Sequence, residues 1–299
     1  MSGKCSCQMS RRRFLGLAGG TFACCALLPL VESAFAADPV SRTTVLPKSK
    51  ARVGLVFSHV PSGNPTWPTK DYDYDARAKE LAAKLIPQCP QVDFTIMTAM
   101  NAAQADEIIK SMPDADGFVV WCIGIWTGAP NAFAHSGKPV VLVDDLYAGS
   151  GEVLMIQQVI KKDRLPVVTV ASSQIRDIAD AANLFGVMRA IAESRVLVVS
   201  DADLSYGTGL VKDIYKAAIV QMKSPELASY YDKTDDREAA AWADYWAANA
   251  KKVVEPKRDE LIKSGKMYLA LSRAAAEKKC DAVTVDCLGM FYSGRITAY

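Results

Sequence analysis

The segment Gly117–Ile125, which reads Gly-Phe-Val-Val-Trp-Cys-Ile-Gly-Ile, carries no charge and no polar break. A strand that is apolar at every position must be buried on both faces, as in a parallel sheet covered by helices on each side. The surrounding pattern agrees. Arg52–Val60, Gln91–Met97 and Pro139–Val143 are further segments that read as strands. Between them, Ala76–Ile86 places Ala78, Leu81, Ala82 and Leu85 on one helical face, and Asn101–Met112 opens on an Asn cap and stops at Pro113. Strands alternating with helices define an α/β unit, here expected over residues 51–162.

The charged run Lys161-Lys162-Asp163-Arg164 marks the expected junction to a second α/β domain, 163–299. Its predicted elements are strand Pro166–Ala171, helix Ser173–Glu193, strand Arg195–Ser200, helix Leu210–Met222, a polar aromatic-bearing helix Asp235–Ala250, helix Glu255–Lys279 and strand Ala282–Asp286. The fold class is thus α/β, with two Rossmann-like (flavodoxin-like) parallel-sheet domains. After Asp286 the sequence reads as a glycine-bearing loop with no closing helix, so the second domain is expected to be incomplete.

The N-terminus carries its own signal. Ser10-Arg11-Arg12-Arg13-Phe14-Leu15 matches the twin-arginine pattern, with Arg11, Arg12, Phe14 and Leu15 as its targeting residues. A mildly apolar stretch follows to Val31, and Ala34-Phe35-Ala36 forms a small-x-small cleavage site at Ala36. Its glycines make the stretch too weak for a stable membrane anchor. Residues 1–36 are therefore expected to be a twin-arginine signal peptide and 37–50 a linker. The implied partner is the twin-arginine translocase, and the implied location is periplasmic or otherwise extracytoplasmic.

Removing the leader, with Lys4, Arg11, Arg12 and Arg13 against Glu32, subtracts +3 from the formal charge of +2 and leaves −1. That balance gives no footprint for nucleic acid. Four cysteines remain beyond residue 36: Cys89, Cys122, Cys280 and Cys287. The last two flank a predicted strand about 20 Å long, beyond disulfide reach. No Cys/His set has zinc spacing, and no P-loop, HExxH or nucleophile elbow occurs.

Candidate binding residues fall at predicted strand carboxyl ends, where α/β sheets present ligand groups along one shared edge. His59 ends the first strand. Trp126 follows the third and could stack on a sugar ring, a role also open to Trp67, whereas Trp121 within the strand reads as core. Asp144 and Asp145 end the fourth strand and must point to opposite faces, so one is a cap or loop anchor and the other can meet a hydroxyl or cation, with Asp145 the candidate. Asp286 ends the last strand. His135 sits at a helix end as a dipole partner, and Gly207-Thr208-Gly209 is a weak phosphate loop. No catalytic residue and no metal ligand is assigned.

Four stretches carry a family resemblance. Phe57-Ser58-His59-Val60-Pro61 with Pro65-Thr66-Trp67-Pro68, Ile123 to Gly128, Val143 to Gly151, and Asp286-Cys287-Leu288-Gly289 resemble the N-terminal and middle domains of L-fucose/L-arabinose isomerase-like proteins. The resemblance implies two Rossmann-like domains followed by a third, C-terminal domain that is missing here. It also implies manganese in full-length relatives, held by later residues that have no counterpart in this sequence, so none is expected to be bound by this chain. The function so implied is an exported aldose–ketose isomerase-like protein acting on a free monosaccharide, as a fragment with little activity. The alternative is a periplasmic sugar-binding protein without catalysis. A homo-oligomer is a further expectation.

Overall fold

The computed structural model describes residues 48–294 apart from 62, 64–66, 68, 146 and 147. The leader, with Arg11, Arg12, Phe14, Leu15 and the Ala36 cleavage site, lies outside the described residues, as does the stretch 295–299. What is described is α/β, with two parallel sheets.

The first sheet has five strands: β1 (Ala51–Ser58), β2 (Val92–Ala99), β3 (Gly117–Cys122), β4 (Val140–Asp144) and β5 (Val167–Ala171). Their spatial order is β2-β1-β3-β4-β5, and every pairing is parallel. This is the doubly wound order whose strand sequence reverses between β1 and β3. All six residues of β3 are buried, as its uninterrupted apolar composition requires. Gly54 is needed in β1 because Phe118 of the neighbouring strand packs over it: a Cβ there would lie 2.6 Å from the ring.

Helices cover both faces. α1 (Tyr74–Leu85) and α5 (Ile175–Glu193) pack on one side, where Leu81, Leu85, Ile178, Ala182 and Phe185 join Leu55, Phe57, Trp121 and Val143. α2 (Ala102–Ser111), α3 (Ala129–Ala134) and α4 (Ser150–Asp163) cover the other, around Phe118, Val120, Phe133 and Leu142. Asn101 caps α2 as expected, its side chain accepting from Gln104 N at 2.9 Å.

The expected junction after residue 162 does not hold. β5 pairs with β4 as the edge of the first sheet, and α5 packs on that same sheet. The charged run that suggested a linker is instead the end of α4, where Lys161 and Lys162 complement the helix dipole and Arg164 closes the helix at φ 53°.

The second sheet starts at β6 (Arg195–Val199), flanked by β7 (Ala218–Met222) and β8 (Ala282–Val285) in the order β7-β6-β8. β7 corrects a second expectation. The predicted helix Leu210–Met222 is α6 (Ser205–Tyr215), ended by Lys216 at φ 61°, after which the Ile-Val run pairs with β6. α7 (Ser224–Asp232), α8 (Asp236–Asn249) and α9 (Arg258–Glu277) follow. The glycine-bearing stretch after Asp286 opens as a short helix, α10 (Cys287–Tyr292). The core here is one-sided: Leu197, Val199, Met222 and Leu227 pack with Ala270, Ala274 and Met290. Among the described residues, Cys89, Cys122, Cys280 and Cys287 are free thiols, and no helix is long and apolar enough to cross a membrane.

Candidate functional site

At the carboxyl edge of the first sheet, the two adjacent aspartates part as strand geometry demands. Asp144 turns toward α4: its Oδ1 accepts from Gly149 N at 2.8 Å and its Oδ2 from Ser150 Oγ at 2.5 Å. It is the anchor of the β4–α4 connection. Asp145 turns toward α1 and receives a two-pronged bond from Arg77, 2.9 Å from Nε and 2.7 Å from Nη2. Its side chain is 9% exposed and that of Arg77 18%, so this planar pair is largely desolvated.

A chain of charges continues outward. Arg77 Nη1 donates to Glu80 Oε2 at 2.8 Å, and Lys84 Nζ donates to Glu80 Oε1 at 2.5 Å. The bonds from Lys84 and Arg77 hold the Glu80 carboxyl below the usual carboxylate value. The bond to Asp145 keeps Arg77 firmly protonated.

Arg77, Asp145 and Lys84 wall a crevice of about 800 Å³ between α1, the strand ends and the start of α5. Ser172, Ser173 and Gln174 form its far rim. The volume lies within the roughly 300–1,000 Å³ of small-molecule clefts. Trp121 also borders it. That residue is 2% exposed and belongs to the core, yet its indole N–H finds no hydrogen-bond partner among the described residues. A buried donor left unpaired costs about 1–3 kcal/mol, so its persistence needs a reason.

The four sequence candidates separate. Asp145 lines the crevice. His59, 4% exposed, stacks on Tyr74 with ring centroids 4.4 Å apart, and its Nδ1 donates to the Val60 carbonyl at 2.8 Å. Trp126 is 60% exposed with φ 49°, a left-handed backbone that costs a bulky residue about 1–2 kcal/mol. Its indole lies over the start of α4, where a Cβ on Gly151 would come within 2.9 Å. The turn that carries it is pinned by Glu152, which accepts from Thr127 N at 3.3 Å and Gly128 N at 2.8 Å. Asp286 stands on the second sheet, where it caps α10 through Gly289 N at 2.9 Å and accepts from Ser200 Oγ at 3.3 Å. The expectation that all four share one sheet edge therefore fails, because β8 belongs to a different sheet from β1, β3 and β4.

Sequence reasoning missed Arg77, Lys84 and Ser172 to Gln174. Arg77 and Lys84 read only as the solvated face of an amphipathic helix; the sole signal was that this helix follows β1, a strand of the same parallel sheet as β4, after which Asp145 stands. A second hollow, about 340 Å³, lies between Trp246, Val254 and Leu261 at the α8–α9 connection. It is away from any strand end. No group of three or more His, Cys, Asp or Glu side chains that could hold a metal ion occurs among the described residues, so no step through manganese is assigned to them. Comparison with protein-family models and with curated proteins finds no match for this chain.

Proposed function

We propose that this chain is an exported sugar-binding protein of the sugar isomerase-like type, holding a free monosaccharide in the crevice beside Arg77 and Asp145. The observation that carries the reading is that two-pronged pair on the wall of a roughly 800 Å³ crevice at strand carboxyl ends. There the Asp145 oxygens and the serine hydroxyls of the rim offer the acceptors and donors that sugar hydroxyls use.

Calorimetry of the purified chain against free aldoses and ketoses tests this. Millimolar binding, about −4 kcal/mol, is expected for at least one sugar. Ser173→Trp, at an exposed rim position, should abolish it while leaving the fold intact. No binding across the panel, or full binding by the rim variant, defeats the reading. Export is checked in cells: Arg11→Lys with Arg12→Lys should leave uncut precursor in the cytoplasm, and normal processing would count against it.

A further inference from the structure

One residue of chain joins the two α/β domains. α5 ends at Glu193 and β6 begins at Arg195, so Ser194, extended at φ −74° and ψ 149°, is the crossing. No buried apolar cluster among the described residues spans both sheets: those of the first sheet reach no further than Phe185, and that of the second starts at Leu197. Domains that share little apolar surface move against each other unless something else holds them. A hinge needs only a residue or two that absorb a change in φ and ψ, and Ser194 stands where one is required.

A polar clasp lies beside that crossing. Lys48 and Ser49, just before β1, close on the end of α5. Their backbone N–H groups donate to Glu193 Oε2 at 2.7 and 3.1 Å, and Ser49 Oγ donates to Glu193 Oε1 at 2.5 Å. Arg189 Nε donates to Ser49 Oγ at 3.0 Å and to Glu193 Oε1 at 2.9 Å. Against the cost of burial, the bonds from Ser49, Arg189 and Lys48 keep the Glu193 carboxyl below its usual value.

Lys48 then reaches across to the second sheet. Its Nζ donates to the Glu193 carbonyl at 3.3 Å and to Asp281 Oδ2 at 3.1 Å. Asp281 immediately precedes β8, and the same oxygen accepts from Arg195 N, at the start of β6, at 2.9 Å. One ammonium group thus ties the last turn of α5 to the amino edge of the second sheet. An isolated surface ion pair is weak, because two long side chains must be ordered to make it. Here the Lys48 backbone is already fixed by Glu193, so less freedom remains to be lost.

We propose that Lys48 and Ser49 form a clasp that locks the two α/β domains at one angle, and that breaking the Lys48–Asp281 bridge lets them swing about Ser194. Such a swing leaves the hydrogen bonding of each sheet intact, and it is independent of what the crevice holds.

Pulsed electron spin resonance tests this. Nitroxides on Lys110→Cys in α2 and Ala248→Cys in α8, both exposed positions, report the distance between the domains, with Cys280→Ser and Cys287→Ser in every sample to remove competing thiols. This reference protein should give one narrow distance. Lys48→Met keeps the side-chain stem and removes the charge; it should add a second distance carried by more than about a tenth of the molecules, with an unchanged circular dichroism spectrum. Glu193→Gln, which weakens the hold on both residues of the clasp, should do the same. A single narrow distance in Lys48→Met overturns the proposal, and so does a broad distribution in the reference protein, which would show that nothing locks the domains. Broadening by Glu193→Gln but not by Lys48→Met would place the hold in Arg189 and Ser49 and overturn the bridge. If Glu193→Gln fails to fold, Lys48→Met decides, since its side chain is 56% exposed and its loss leaves no cavity.

Discussion

Glu152 shows how much one buried side chain settles at this sheet edge. It is 7% exposed, and its carboxylate holds the Thr127–Gly128 turn that presents Trp126. Burial pushes its pKa above the usual 4.5, against the opposing pull of the Gly128 and Thr127 N–H groups. A carboxyl with a raised folded pKa is easier to protonate in the native state than in the unfolded chain. Its stabilising contribution is therefore complete below about pH 4.5 and is lost as pH rises through the folded value. Glu152→Gln removes that titration but keeps an acceptor. The stability of the native chain relative to Glu152→Gln should rise as pH falls from 7 toward 4.5, measured by urea denaturation at each pH. A difference that shrinks over that range would show that the two N–H bonds outweigh burial.

At the scale of elements, α5 decides where the first domain ends. Ile178, Ala179, Ala182 and Phe185 are buried against the first sheet, while Leu184, Val187 and Met188 are exposed. Phe185→Ala should cost about 3–5 kcal/mol in urea denaturation, and Leu184→Ala less than about 0.5. Equal costs would mean that α5 packs by its other face and does not belong to this sheet. The strand–helix alternation that makes the first sheet was legible from apolar runs alone, because strands buried on both faces leave that mark wherever they occur. The junction was not: Lys161 to Arg164 reads equally as linker or as a helix end, and only the pairing of β5 with β4 separates the two. β7 was hidden for a similar reason, since Ala218 to Met222 is short and continues the apolar pattern of α6. Asp145 was legible by the strand-end rule. Its partner Arg77, 68 residues earlier, was not, because their meeting depends on where α1 settles across the sheet.

For the whole molecule, the two sheets differ in how fully they are enclosed, and this should govern which opens first. β1, β3 and β4 lie between two buried clusters, with both faces of Phe118–Cys122 covered. In the second sheet, Leu197 and Val199 enter a core, whereas the alternating Val196 and Val198 are only half-buried. α6 contributes no buried residue, and Leu210 and Ile214 on it are 48% and 60% exposed. The edge strand β8 exposes Val283, and α10 exposes Leu288 and Tyr292. Local opening takes the least free energy where few apolar contacts are lost, so amides of β8, α6 and α10 should exchange through low-energy fluctuations. Those of β1, β3 and β4 should exchange only near global unfolding. Native-state hydrogen exchange read by peptide mass spectrometry checks this order, with protection in β3 expected to exceed that in β8 by at least about a hundredfold, some 2.7 kcal/mol. Leu210, Ile214, Val283, Leu288 and Tyr292 are exposed apolar side chains of these second-sheet elements. If β8 proves as protected as β3, that surface is covered in solution, and repeating the exchange across a dilution series would tell whether a second copy covers it. Protection that falls with dilution would identify self-association as the cover; protection independent of concentration would assign it to the chain itself.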